Sequence, residues 1–145
     1  DGCPVVDLAV QTARIQKVEC LILADTAHVF EKEGAKTITV SKGADSVDFA
    51  LVNLVRAGDI VITQDYGLAA MCLAKRGIPL SQNGMIYDNQ NIDALLQARH
   101  AARKIRQGGG RLKGPKKRTT EQDRQFLDAL NRLIAADRTD QSRNS

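Results

Sequence analysis

Apolar positions alternate between two patterns along the first two thirds of the chain. After Asp1-Gly-Cys-Pro4, residues Val5, Leu8, Ala9, Thr12 and Ala13 recur at helical spacing, with Pro4 in the first turn. Cys20-Leu-Ile-Leu-Ala24 is a continuous apolar run, as expected of a strand covered on both faces. Thr37-Ile-Thr-Val40 and Ile60-Val-Ile-Thr63 are β-branched runs that predict two more strands. Between them, Ala44, Val47, Leu51, Leu54 and Val55 predict a helix stopped by Gly58. Leu68 to Lys75 predicts a helix of small residues closed by Gly77. Ile78-Pro-Leu80 predicts a last strand, which Pro79 confines to an edge.

Strands alternating with helices predict an α/β fold, a three-layer arrangement of a mostly parallel sheet with helices on both faces. The opening Asp-Gly-Cys-Pro reads as the exit from a strand, so a further strand is expected ahead of Asp1. Two helices finish the chain. Ile92, Leu95, Leu96, Ala102 and Ile105 form the stripe of the first, and Phe126, Leu127, Leu130, Leu133 and Ile134 that of the second. The glycine-rich basic stretch Gly108–Arg118 lies between them. Thr119 or Thr120 can cap the last helix, with Asp123 completing a capping box from Thr120. Residues 138–145 read as a frayed tail. The organisation expected is an α/β unit over residues 1–106, with the basic loop and last helix of residues 107–145 packed on the same domain.

A chain of 145 residues, 43% of them hydrophobic, suits one domain with a real core. No apolar run approaches the ~20 residues a membrane span needs. The three cysteines, Cys3, Cys20 and Cys72, are far apart and form no C-x-x-C pair. Reduced thiols and a cytoplasmic location are therefore expected, and nothing reads as a signal peptide. Only five aromatics are present, a poor platform for stacking bases. Charge changes the picture most. Residues 1–98 carry 8 Lys and Arg against 12 Asp and Glu, whereas residues 99–145 carry 13 against 5. An acidic body with a basic tail points to a polyanionic partner, nucleic acid first, although a solvated basic surface looks the same.

Ligands of open parallel sheets bind outside the carboxyl ends of the strands. That rule gathers Asp1, Asp45, Asp48 and Asp65 on one rim; Asp59 precedes its strand and falls at the opposite end. Carboxylates collected in one place repel unless a cation neutralises them, and hard oxygen ligands suit Mg²⁺ or Mn²⁺. Such an ion activates water and stabilises charge on a phosphodiester. Each acid also has a plain structural role open to it. Asp45 can be an N-cap, Asp48 a favourable first-turn charge, and Asp65 the cap of a helix starting at Tyr66. Basic residues Arg99, Arg103, Lys113, Lys116, Lys117 and Arg118 are the candidates for gripping phosphate. His28 and His100 read as surface or packing residues, and Cys3 as a small buried residue. Ser41-Lys-Gly43 reads equally well as an anion-binding turn or a helix entry.

Several motifs act together here: Asp1-Gly-Cys-Pro-Val5, Gly43-Ala-Asp-Ser-Val-Asp48, Gly58-Asp-Ile-Val-Ile-Thr-Gln-Asp65 with Leu68-Ala69, and Asn83-Gly84 with Tyr87. Asn91-Ile92, Arg99, Gly114-Pro115 and Asp123-Arg124 with Phe126 complete the set. Over nearly the whole chain they resemble the YaiI/YqxD family of uncharacterised bacterial proteins, where a strand ending in another aspartate usually precedes the cysteine motif. That family in turn is similar to the PIN-domain nucleases, which bind Mg²⁺ or Mn²⁺ through clustered acids and hydrolyse RNA or DNA. The resemblance implies that Asp1 matches the acid after the first strand, Asp45 or Asp48 that of the central helix, and Asp65 that of the later strand. Many PIN domains carry one more acid two positions on, where this chain has Gly67, so one ligand is missing.

The function expected is metal-dependent hydrolysis of nucleic acid, RNA before DNA. The competing reading is a non-catalytic nucleic-acid or protein-interaction module on the same fold. A hydrolase of small phosphoesters ranks third.

Overall fold

The computed structural model describes residues 4–25, 33–40, 46–107 and 117–144. Their elements run α1 (Val6–Gln16), β1 (Leu21–Asp25), β2 (Lys36–Val40), α2 (Ser46–Leu54), β3 (Ile60–Ile62), α3 (Tyr66–Ala74), β4 (Ile78–Leu80), α4 (Asn89–Gln107) and α5 (Thr120–Asn144). The α/β class and the parallel pairing agree with the sequence pattern. β1 pairs with β2 from Leu21↔Lys36 to Asp25↔Val40, and β3 with β4 from Ile60↔Ile78 to Ile62↔Leu80. Among the described residues these are two separate two-stranded sheets rather than one continuous ladder. Helix α2 joins them, packing on β1 and β2 as well as on α3.

The two-residue period of β3 sorts its side chains between helices. Ile60 and Ile62 pack against the cluster of Val5, Leu80, Phe126, Ala129, Leu130 and Ile134, which belongs mostly to the α1 end and α5. Val61 instead joins Val55, Leu68 and Cys72, between α2 and α3. A third cluster, Ala69, Tyr87 and Ile92, fastens α4 to α3. Pro79 removes one donor from β4, as expected of an edge strand. The outer side of β4 is covered by a short return, in which Tyr87 N–H donates to the Pro79 carbonyl at 3.0 Å and Ile86 bridges Leu80.

Five local readings need correction. Pro4 precedes the first turn, because Val5 is the N-cap of α1. Helix α2 ends at Leu54, and Gly58 (φ +88°) serves a turn closed by Asp59 N–H on the Arg56 carbonyl. At the end of α3 the left-handed residue is Arg76 (φ 64°), not Gly77. Arg76 N–H donates to Leu73 and Gly77 N–H to Cys72, the paired bonds that define a Schellman ending. Gly77 is small for another reason, since a Cβ there would sit 2.9 Å from Val55 Cγ1. The capping box of α5 is Thr119 with Gln122: Gln122 N–H donates to Thr119 Oγ1, and Thr119 N–H to Gln122 Oε1. Asp123 is drawn to an arginine instead. Finally, α5 continues through Asn144, beyond the expected fraying point at Arg138. No glycine or proline follows Pro115, so nothing breaks the hydrogen-bond ladder once the helix has started.

Arg76 offers a direct test of this ending. A left-handed non-glycine residue costs roughly 1–2 kcal/mol, and glycine returns roughly 0.5–1 of that through unfolded-state entropy. Arg76→Gly is therefore expected to stabilise the chain by about 0.5 kcal/mol, read as a higher denaturant midpoint at unchanged slope.

Candidate functional site

Because β3 and β4 are parallel, the segments that leave them emerge from the same edge of the sheet. Thr63 N–H extends the pairing by donating to the Leu80 carbonyl at 3.0 Å. Past β3, Asp65 N–H donates to Thr63 Oγ1 at 3.0 Å, and Asp65 Oδ1 accepts from Leu68 N–H at 3.0 Å. Asp65 is thus the N-cap of α3, in extended conformation (φ −85°, ψ 113°). Its side chain is exposed, and among the described residues its second carboxylate oxygen carries no hydrogen bond. Gly67 stands beside it, where a Cβ would lie 3.3 Å from Asp65 Oδ1.

Behind Asp65 lies the buried Tyr87, whose hydroxyl donates to the Thr63 carbonyl at 3.4 Å. Tyr66 meets Tyr87 edge to face at 6.1 Å. Burial pushes the Tyr87 phenol up, with Tyr66 and Asp65 adding to it. The next residues start α4 with a reciprocal cap. Asp88 Oδ1 accepts from Asn91 N–H at 2.7 Å, and Asn91 Oδ1 from Asp88 N–H at 2.9 Å.

Past β4 the chain turns tightly. Ser81 Oγ accepts from Asn83 N–H and Met85 N–H, at 3.2 and 2.9 Å. Arg118 closes on this turn with two guanidinium nitrogens and binds Asp123 of α5 with the third. Nε donates to Asp123 Oδ1 (2.5 Å), Nη1 to Asn83 Oδ1 (3.0 Å) and Nη2 to the Gln82 carbonyl (2.5 Å). This clasp ties residues 35 and 36 positions apart, so no local pattern revealed it. The joint presence of Asn83-Gly84 and Asp123-Arg124 in the sequence was the signal available for it.

Of the four predicted acids, two are described. Asp48 is half-buried in the first turn of α2. It lies near Cys72 of α3, whose thiol burial pushes up, with Asp48 adding to the rise and Lys75 opposing it. Asp48 and Asp65 therefore stand on packed neighbouring helices. Asp1 and Asp45 lie outside the described residues, and among those described no three His, Cys, Asp or Glu side chains gather as a metal site. Of the predicted phosphate ligands, Arg99 is exposed on α4, Lys117 is exposed just before α5, and Arg118 is held in the clasp. Lys113, Lys116 and the side chain of Arg103 lie outside the described residues, as do Cys3, His28, Ser41–Gly43 and the Gly108–Gly110 stretch. His100 is exposed, in keeping with a surface histidine.

A family profile described as "Uncharacterized BCR, YaiI/YqxD family" matches residues 1–136. The chain belongs to the YaiI/YqxD family. A UPF0178 protein of Exiguobacterium sibiricum is 52% identical over 134 residues, covering 92% of this chain and 92% of its own length. The UPF0178 protein of Clostridium acetobutylicum is 44% identical over 136 residues with the same coverage, and that of Ruminiclostridium cellulolyticum 46% over 130 residues. No solved structure matches the chain significantly. For this YaiI/YqxD chain, no helix among the described residues is long and apolar enough to cross a membrane.

Proposed function

We propose that this YaiI/YqxD chain is a divalent-metal-dependent phosphodiesterase acting on nucleic acid, RNA in preference to DNA, on a PIN-like three-layer fold. The reading is carried by one juxtaposition. The carboxyl edge of the β3–β4 pair carries the exposed Asp65, and Arg118 binds the turn that leaves the same edge after β4, with the exposed Lys117 next to it in the chain. An acid that can hold a metal and a cation that attracts phosphate belong on one edge in such an enzyme. The helices contacting opposite faces of β3 favour the layered fold. Asp1, Asp45, Asp48 and Asp65 would hold Mg²⁺ or Mn²⁺. A bound ion there supplies an activated water and charge stabilisation for the phosphodiester. Arg99, Arg103, Lys113, Lys116 and Lys117 would attract the nucleic-acid backbone.

The alternative, a non-catalytic nucleic-acid or protein-interaction module, is favoured by the engagement of Asp65 as a helix cap and by Gly67 beside it. Asp65→Asn separates the two. Asparagine caps helices about as well as aspartate, so the fold and its stability should be retained. The loss of a negative ligand is expected to remove Mn²⁺-dependent cleavage of a labelled oligoribonucleotide. Equal cleavage by the variant would discard the catalytic role of Asp65; salt-sensitive binding without cleavage by either protein would favour the module.

A further inference from the structure

We infer that Arg118 is a positioning residue: its clasp fastens the end of the basic segment to the sheet edge that carries Asp65, and so sets where a bound nucleic-acid backbone runs. The inference rests on the nucleic-acid reading above and assigns Arg118 a role other than phosphate ligand.

Parallel β3 and β4 release residues 63–65 and 81–84 from one edge, and the Thr63–Leu80 and Tyr87–Thr63 hydrogen bonds hold those exits together. The turn after β4 is itself fixed, by the two N–H groups on Ser81 Oγ and by Gly84 packed against the backbone of Gln125. Onto this fixed point Arg118 places two donors, on Asn83 and Gln82, while its third is held by Asp123 of α5. A planar guanidinium meets three separately oriented acceptors; a lysine ammonium, being a point charge, does not hold them in the same geometry.

Charge and burial point the same way. The Arg118 side chain is only 21% exposed and its charge is balanced by Asp123. A cation so engaged attracts little additional phosphate, whereas its neighbour Lys117 is exposed. Lys117 therefore provides the attraction, and Arg118 determines that it acts beside Asp65. The clasp bonds Arg118 to residues that no phosphate contact requires, whereas Lys117 beside it is exposed.

The test is an amide NMR titration of the full chain with a short single-stranded oligoribonucleotide, in EDTA so that cleavage does not intervene. The wild type is expected to show shifts at Lys117–Thr119 and also at Gln64–Gly67. Arg118→Lys keeps the positive charge but loses the fork, so shifts at Lys117–Thr119 should persist while those at Gln64–Gly67 disappear. Lys117→Gln is the contrast: it should lower affinity and the salt slope by about one counterion, with the saturated footprint unchanged. Persistence of both sets of shifts in Arg118→Lys would overturn the positioning role. A wild-type footprint confined to Lys117–Thr119 would overturn it too, since the acid would then lie off the path. No wild-type shift anywhere would instead remove the nucleic-acid reading itself. Loss of amide dispersion in Arg118→Lys would move the test to Asn83→Ala, which removes one exposed acceptor and is read in the same way. The footprint requires no catalysis, so a failed cleavage assay and a failed positioning role are told apart.

Discussion

Phe126→Ala is expected to lower the unfolding free energy by about 3–5 kcal/mol, a large part of the stability of a domain this size. Phe126 is the largest fully buried side chain among the described residues. It stands where three elements meet, in one cluster with Val5 before α1, Leu80 of β4, and Ala129, Leu130 and Ile134 of α5. The neighbours cannot collapse into the space it leaves, because they are fixed by a strand, two helices and the turn after β4. The cost therefore includes both lost burial and the residual cavity. Urea unfolding should show a lower midpoint at a nearly unchanged slope. A loss below about 1 kcal/mol would mean that α5 is not docked as described, since only a peripheral site tolerates such a truncation.

Which features were legible in the sequence follows from how far apart their causes lie along the chain. The strand at Ile60 and the stripe of α5 are local patterns, and both stand where their periodicity put them. Asp65 as the cap before Tyr66 was equally local, and its side chain does bond Leu68 N–H. Arg76 is not legible as the left-handed residue because glycine usually takes that place, while two Schellman bonds are sufficient to hold an arginine there. The choice between Thr119 and Thr120 turned on a competition invisible in spacing alone. Asp123 is taken by Arg118, leaving Gln122 to reach back to Thr119. The clasp itself joins residues far apart in the chain, and only the tertiary fold brings them together. The same holds for the acids: Asp48 and Asp65 belong to neighbouring helices because α2 packs on α3, a contact that no spacing rule specifies.

Gly84→Ala is expected to cost about 2–4 kcal/mol, from two separate causes. Gly84 has φ +87°, where a side chain is strained. A Cβ would also lie 2.5 Å from the Gln125 carbonyl oxygen and 2.7 Å from its carbon, both backbone atoms of α5 that no rotamer change can move. Gly58→Ala separates the causes. Its φ of +88° is nearly the same, but the nearest atom to a Cβ there is Asp137 Oδ1 at 3.6 Å, an ordinary contact. Gly58→Ala should therefore carry the conformational strain alone, roughly 1–2 kcal/mol. The excess at Gly84 measures how closely the turn after β4 approaches α5. Relief of that overlap requires α5 to shift away from the turn, which also loosens Arg118 from Asn83 and Gln82. Gly84→Ala should consequently weaken both the core around Phe126 and the clasp, detectable as amide shifts at Asn83 and Arg118 in whatever fraction stays folded. Equal losses in the two variants would show that the close approach is not maintained in solution, and the anchor for the basic segment would lose its rigid footing.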